Sequence, residues 1–223
     1  MSTSLSDTGV QFAGGNIVDT RTTMPSTGSY TAGDLILETS TAGRVSGWKR
    51  QTTGSAHVLG TDWVYFSGLT LGTAQNTTSG TTLTFSSIPS WVKRITLEVL
   101  GVSTNGTSNW GIKLGTAGGI ESTGYTGRVN NSANTSSAPT TIAQTVFSSS
   151  AATTSVGVLV LALVNSSTNQ WVISGTTIRA DDVYSDHVGF YKSLSGVLTQ
   201  VQLATVNGTD TFDAGSVNII YEG

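Results

Sequence analysis

The chain has 223 residues, 10% of them charged, a formal charge of −3 and no cysteine. Disulfides and zinc–thiolate sites are therefore excluded. Beyond Lys49-Arg50 and Lys93-Arg94 there is no basic cluster to displace counterions from phosphates, which excludes nucleic acid as a partner. Ser and Thr supply about 30% of the chain, well above average usage. Yet apolar residues recur in alternating blocks, the signature of half-buried strands rather than of disorder.

Residues 1–29 are polar and turn-rich, with "VQF" and "NIV" as their apolar anchors. The start "MSTSLSDTGVQF" lacks the basic and apolar regions of a signal peptide, so cytoplasmic synthesis without standard export is expected. Residues 30–80 begin with a predicted hairpin, "DLILE" and "VSGWKR" around "TSTAGR". The aromatic patch "DWVYF" follows, and Trp48 and Trp63 are expected to pack the small N-terminal unit. The polar stretch 72–81 reads as a linker.

From Thr81 onward strand follows strand: "TTLTF", "WVKRITLEVLGV", "NWGIKLG", "GYTGRV", "TIAQTVF", "SVGVLVLALV", "QWVISGTTI", "VGFYKSL", "GVLTQVQLATV" and "SVNIIYE". In "RITLEVLGV", Ile95, Leu97 and Val99 share one face while Thr96 and Glu98 take the other. In the ninth segment Val197, Thr199, Val201, Leu203 and Thr205 form one predicted row. The run "VGVLVLALV" (156–164) is about half the ~20 residues of a membrane helix and is expected as a fully buried strand. Asn105-Gly106 and Asn207-Gly208 predict type I′ turns. The expected fold is all-β: an antiparallel β-sandwich over 81–223, jelly-roll-like. A small hairpin connector over 30–80 and an extended N-terminal segment over 1–29 precede it.

Three stretches resemble tail-fibre proteins of tailed bacteriophages. "LSDTGVQFAGG" is similar to a short fibre element near their N-termini, with "FAGGN" in place of "FPDGT". Tyr30, Gly33, Asp34, Gly47 and Trp48 match a Tyr-x-x-Gly-Asp hairpin that closes on Gly-Trp; Arg50 stands where many relatives have Cys. "IPSWVKRITLEVLGVSTNGTSNWGIKLGTAGGIESTGYTG" and the segments from "LVNSSTNQWVISG" to "NIIYE" resemble the C-terminal fibre β-domain. The resemblance implies a homotrimeric fibre on the virion whose tip contacts host surface polysaccharide or lipopolysaccharide. Residues 1–29 would attach to other tail or baseplate proteins. A non-receptor virion fibre, collar or decoration protein shares these features, and a polysaccharide-degrading tail spike is the enzymatic alternative. No cofactor, metal or membrane insertion is expected.

Catalytic chemistry has little to stand on in the sequence. His57 and His187 are 130 residues apart, and Asp186 beside His187 should point to the opposite strand face. Asp62, Glu98, Glu121, Asp181, Asp182 and Asp186 form no recognisable glycosidase pair. Loops 179–187 and 207–215 carry clustered carboxylates that read as solvated or turn-forming. The candidate adhesive loops are 103–110 and 118–139, with Trp110, Tyr125 and Arg128 as ligand-binding candidates. Core packing is the competing reading for the two aromatics.

Overall fold

The computed structural model describes residues 5–6, 9–11, 15–39, 46–67, 69–148, 150–180 and 184–223. Every regular element among them is a strand. The chain forms two compact units, Met1–Thr70 with Glu222–Gly223, and Leu71–Tyr221.

The first unit is one six-stranded sheet in sequential order: β1 (Leu5–Ser6), β2 (Gly9–Gln11), β3 (Ile17–Arg21), β4 (Leu35–Glu38), β5 (Ser46–Arg50) and β6 (Trp63–Ser67). The predicted hairpin is β4–β5, with Ile36 opposite Trp48; most of its turn lies outside the described residues. An isolated hairpin is marginal in water. Here its flanks are covered by the same chain: β3 pairs parallel with β4, and β6 pairs antiparallel with β5. Residues 17–21 thus belong to the same sheet as the hairpin. Ile36, Trp48, Trp63 and Tyr30 form the core, with Tyr30 edge-on to Trp63 at 4.9 Å.

After β7 (Thr70–Leu71) and β8 (Gln75–Asn76), the second unit contains β9 (Thr82–Phe85), β10 (Arg94–Thr104), β11 (Trp110–Thr116), β12 (Gly119–Glu121) and β13 (Thr126–Asn131). Then come β14 (Ser136–Ser137), β15 (Ala143–Val146), β16 (Ser155–Asn165), β17 (Gln170–Arg179), β18 (Ser185–Ser193), β19 (Gln200–Thr205) and β20 (Phe212–Glu222). The large sheet runs β14-β13-β18-β17-β16-β10-β20, with β8 beyond β20. The small sheet runs β12-β11-β19-β9, with β15 also on β11. The long strands pair in nested fashion, β10 with β20, β11 with β19, β13 with β18 and β16 with β17. All these pairings whose register is given are antiparallel, and the two sheets form a sandwich; the innermost pair β16–β17 lies in the large sheet beside β10, so the topology is not the expected jelly roll.

The core lies between the sheets. Ile95, Leu97 and Val99 from β10, Leu159 and Leu161 from β16, and Phe190 from β18 face Ile112, Leu114, Val201 and Leu203. Each such side chain contributes about 1.5–3 kcal/mol by leaving water.

Four further expectations change. The run 156–164 is half-buried: Leu159 and Leu161 point inward, whereas Val158 and Val164 are exposed, because the sheet has one core face. Segment 118–139 is no long loop, since β12, β13 and β14 occupy half of it. Neither Asn-Gly pair is a type I′ turn; of the four residues only Gly208 has positive φ. Finally, Val197 is exposed and Leu198 buried, because the regular alternation of β19 begins only at Gln200.

Candidate functional site

The strand registers bring the chain's most polar connections to one end of the sandwich. Val102 of β10 lies opposite Ser155 of β16, Ser155 opposite Arg179 of β17, and Ile178 opposite Ser185 of β18. Asn131 of β13 lies opposite Asp186, and in the small sheet Trp110 lies opposite both Thr205 and Val146. The connections 105–109, 132–135 and 206–211, with residues 147–148 and 150–154, therefore emerge side by side. They are rich in Asn, Ser, Thr and Gly. The candidate site is this platform of loops.

Side chains hold it in place. Asn105 donates its N–H to the Thr211 carbonyl at 2.9 Å, and its side-chain oxygen accepts the Thr211 N–H at 2.9 Å. Asp210 accepts the Ser108 N–H at 2.8 Å, while the Ser108 hydroxyl oxygen accepts the Asn207 N–H at 3.1 Å. Asn207 in turn accepts the N–H groups of Thr209 and Asp210, both at 3.0 Å. Asn109 accepts the Ser148 N–H at 2.9 Å, tying in the third loop. Asn131 closes the 132–135 turn by accepting the Ala133 and Thr135 N–H groups. Asp210 thus braces a neighbouring loop rather than bonding the backbone of its own turn. Asn207, which its sequence context marked only as half of an Asn-Gly pair, organises that turn.

The outward groups are neutral donors and acceptors: Thr107, Ser132, Asn134, Thr135, Asn207 and Thr209 are exposed. Hydroxyls and amides offer both hydrogen-bonding roles, and rigid loops present them without further ordering cost.

The three residues singled out by sequence do not meet here. Trp110 is 1% exposed and packs against Phe212 with ring centroids 6.5 Å apart. Tyr125 is also 1% exposed. Its hydroxyl accepts the Leu114 N–H at 2.7 Å and donates to the Glu121 carbonyl at 3.0 Å. Burial pushes its phenol well above the ordinary tyrosine range. Both aromatics are core residues and present no face to a ligand. Arg128 is exposed, but on the outer face of the large sheet, where it donates to Ser136 Oγ at 2.8 Å.

The carboxylates are dispersed into structural roles. Asp186 is fully buried, 3.6 Å from the equally buried Arg179, so the ends of the predicted acidic loop are strand residues. Asp181 and Asp182 lie outside the described residues. His187 sits on the opposite, exposed face, its ring nitrogens 3.2 Å from Ser185 Oγ and 3.3 Å from Thr176 Oγ1. The adjacent carboxylate therefore cannot orient this imidazole as a triad requires. Glu121 pairs with Lys192 at 2.5 Å and accepts the Ser195 N–H and hydroxyl. Burial raises its pKa, but these donors outweigh burial and hold it below the ordinary carboxylate value. Among the described residues no cluster of His, Asp or Glu could hold a metal ion.

In the first unit, the matched hairpin residues are the ones on which the sheet is built. Asp34 is buried and accepts the N–H groups of Ile17 at 2.8 Å and Thr31 at 2.7 Å, plus the Asn16 amide at 3.2 Å. It therefore joins β3 to the hairpin. Gly33 adopts φ +103°, and a Cβ on Gly47 would collide with the Ile36 carbonyl. Arg50 is buried over the Trp63 ring at 5.2 Å and donates to the Thr52 and Ala56 carbonyls, closing the 51–56 loop. Asp62 is held below its ordinary pKa by the Thr52 hydroxyl and the Val58 N–H.

No family model, curated protein or solved structure matches the chain.

Proposed function

We propose that the chain is a tail fibre or fibre-tip protein of a tailed bacteriophage. It attaches the virion to host surface polysaccharide or lipopolysaccharide as a homotrimer, by binding and without catalysis. The observation that carries this reading is the placement of the hairpin motif. Tyr30, Gly33, Asp34, Gly47 and Trp48, which resemble the fibre element, supply the core, the strained turn, the close strand approach and the buried hub of the first unit.

The mechanism is multivalent adhesion. An array of amides and hydroxyls on braced loops forms hydrogen bonds with a polyhydroxylated surface that are individually weak. Three linked copies convert later binding events into intramolecular ones and raise avidity by orders of magnitude. Residues 1–29 contribute the attachment to other tail or baseplate proteins.

Gold-labelled antibody against the purified chain, applied to particles of the encoding phage, tests the reading. Label at the distal end of the tail is expected. Label on the head or collar would favour the non-receptor fibre, and particles without label would overturn the virion assignment.

A further inference from the structure

We infer that the end of the sandwich opposite the loop platform carries a pocket for the anionic group of an acidic sugar, a carboxylate or a phosphate. A cavity of about 70 Å³ opens there. Ser90 and Lys93 line it from just ahead of β10, and Ser166 and Asn169 from the β16–β17 turn. Trp171 and Leu198, both buried, give it an apolar floor, whereas Ser90, Lys93 and Ser166 are exposed. An apolar cleft with a few convergent polar groups is the common form of a small-ligand site.

The fold fixes the backbones of these polar residues and leaves their side chains unused. Leu163, opposite Trp171 in register, donates its N–H to the Lys93 carbonyl at 2.8 Å. Asn165 closes the turn by accepting the Ser167 N–H at 2.9 Å. Asn169 adopts φ +47°, a region Asn tolerates, and its carbonyl accepts the Leu194 N–H at 3.1 Å. Among the described residues, none of the Ser90, Lys93, Ser166 and Asn169 side chains has a hydrogen-bond or ion-pair partner. Four donors therefore stand around one cleft with their capacity free.

Charge and size select the ligand. Among the described residues lining the cavity, Lys93 is the one charged group, and no carboxylate faces it. An ammonium without a counter-ion attracts an anion, and an apolar floor strengthens the attraction by excluding water. The two hydroxyls and the Asn169 amide donate to the remaining anion oxygens. A water occupies about 30 Å³ of liquid, so the cavity has room for the few oxygens of a carboxylate or phosphate but not for a sugar ring. The ring stays at the mouth, where exposed Val197 meets its C–H face and the serines its hydroxyls.

The pocket shares no residue with the loop platform, so it can fail while the adhesion reading stands. The test is a nitrogen–proton NMR titration of the full chain with sodium glucuronate, with glucose 1-phosphate and, as the neutral control, with glucose. An anion is expected to shift the Trp171 indole and the amides of 166–170, with a dissociation constant of about 1–10 mM that rises with salt. Glucose at the same concentrations should leave them in place. A response to glucuronate alone assigns the pocket to carboxylates, to the phosphate ester alone to phosphates, and to both to either anion. Lys93→Gln should weaken binding by roughly tenfold or more. Asn169→Gly keeps the positive φ while deleting the amide and should weaken it by roughly threefold. Both variants should keep the wild-type circular dichroism. No shift with either anion, an equal response to glucose, or a Lys93→Gln variant that binds like wild type would overturn the inference.

Discussion

Replacing Tyr125 with Phe deletes one oxygen from the interior and isolates the role of that residue. The hydroxyl joins β11 to the β12–β13 region by accepting the Leu114 N–H and donating to the Glu121 carbonyl. Phe preserves the ring and leaves both groups without this partner. An orphaned buried N–H costs about 1–3 kcal/mol, and the lost bond to the carbonyl about 0.5–1.5 kcal/mol more, for a total of about 2–4 kcal/mol. Urea unfolding of the full chain, followed on tryptophan fluorescence, should show the transition of the second unit at lower urea with an unchanged slope. Cell binding below that transition should not change, because the ring lies in the core and not on the loop platform. Stability within about 0.5 kcal/mol of wild type, the range of ordinary surface substitutions, would refute the hydrogen-bond argument. Lost cell binding in a fully folded variant would refute the assignment of Tyr125 to the core.

Asp34→Ala removes the acceptor shared by β3 and the hairpin, so the first unit should lose about 2–3 kcal/mol while the second unfolds as before; two-probe denaturation would show this. Asp186→Ala leaves Arg179 buried without this carboxylate and should cost about 3–5 kcal/mol, read as a lower midpoint for the second unit. The depressed pKa of Glu121 contributes stability above its ordinary value of 4.5, which is lost as pH falls through the folded-state value. Acid titration of Glu121→Gln should therefore show a shallower loss of stability than wild type below that pH.

The strands were legible because each has a core face: the alternation in 94–99 is what β10 displays. All ten segments predicted after Thr81 overlap an observed strand. Legibility failed where one residue type serves two environments. The run 156–164 read as buried on both sides, yet its four valines, Val156, Val158, Val160 and Val164, all cover an outer sheet face that alternation alone cannot distinguish from core. For Trp110 and Tyr125 the sequence carried two readings, ligand surface and core; both are core, Trp110 through strand pairing and Tyr125 through its buried hydroxyl bonds. The platform was only partly visible. Loop 103–110 could be chosen from its composition, whereas its bracing by Asp210 and Asn207 depends on long-range pairing across the sandwich. Arg50 gave no local sign that it would be buried over Trp63.

The central claim is that this chain adheres to cell surfaces through the loop platform. Its most direct test is binding of fluorescently labelled full chain to host cells, compared with a Thr107→Ala, Thr135→Ala, Thr209→Ala variant of unchanged stability. These three exposed side chains are not among those that brace the loops. The account predicts saturable wild-type binding, competition by purified surface polysaccharide, and at least roughly tenfold weaker binding by the variant. Wild-type binding that is absent, or that the variant retains in full, would contradict it.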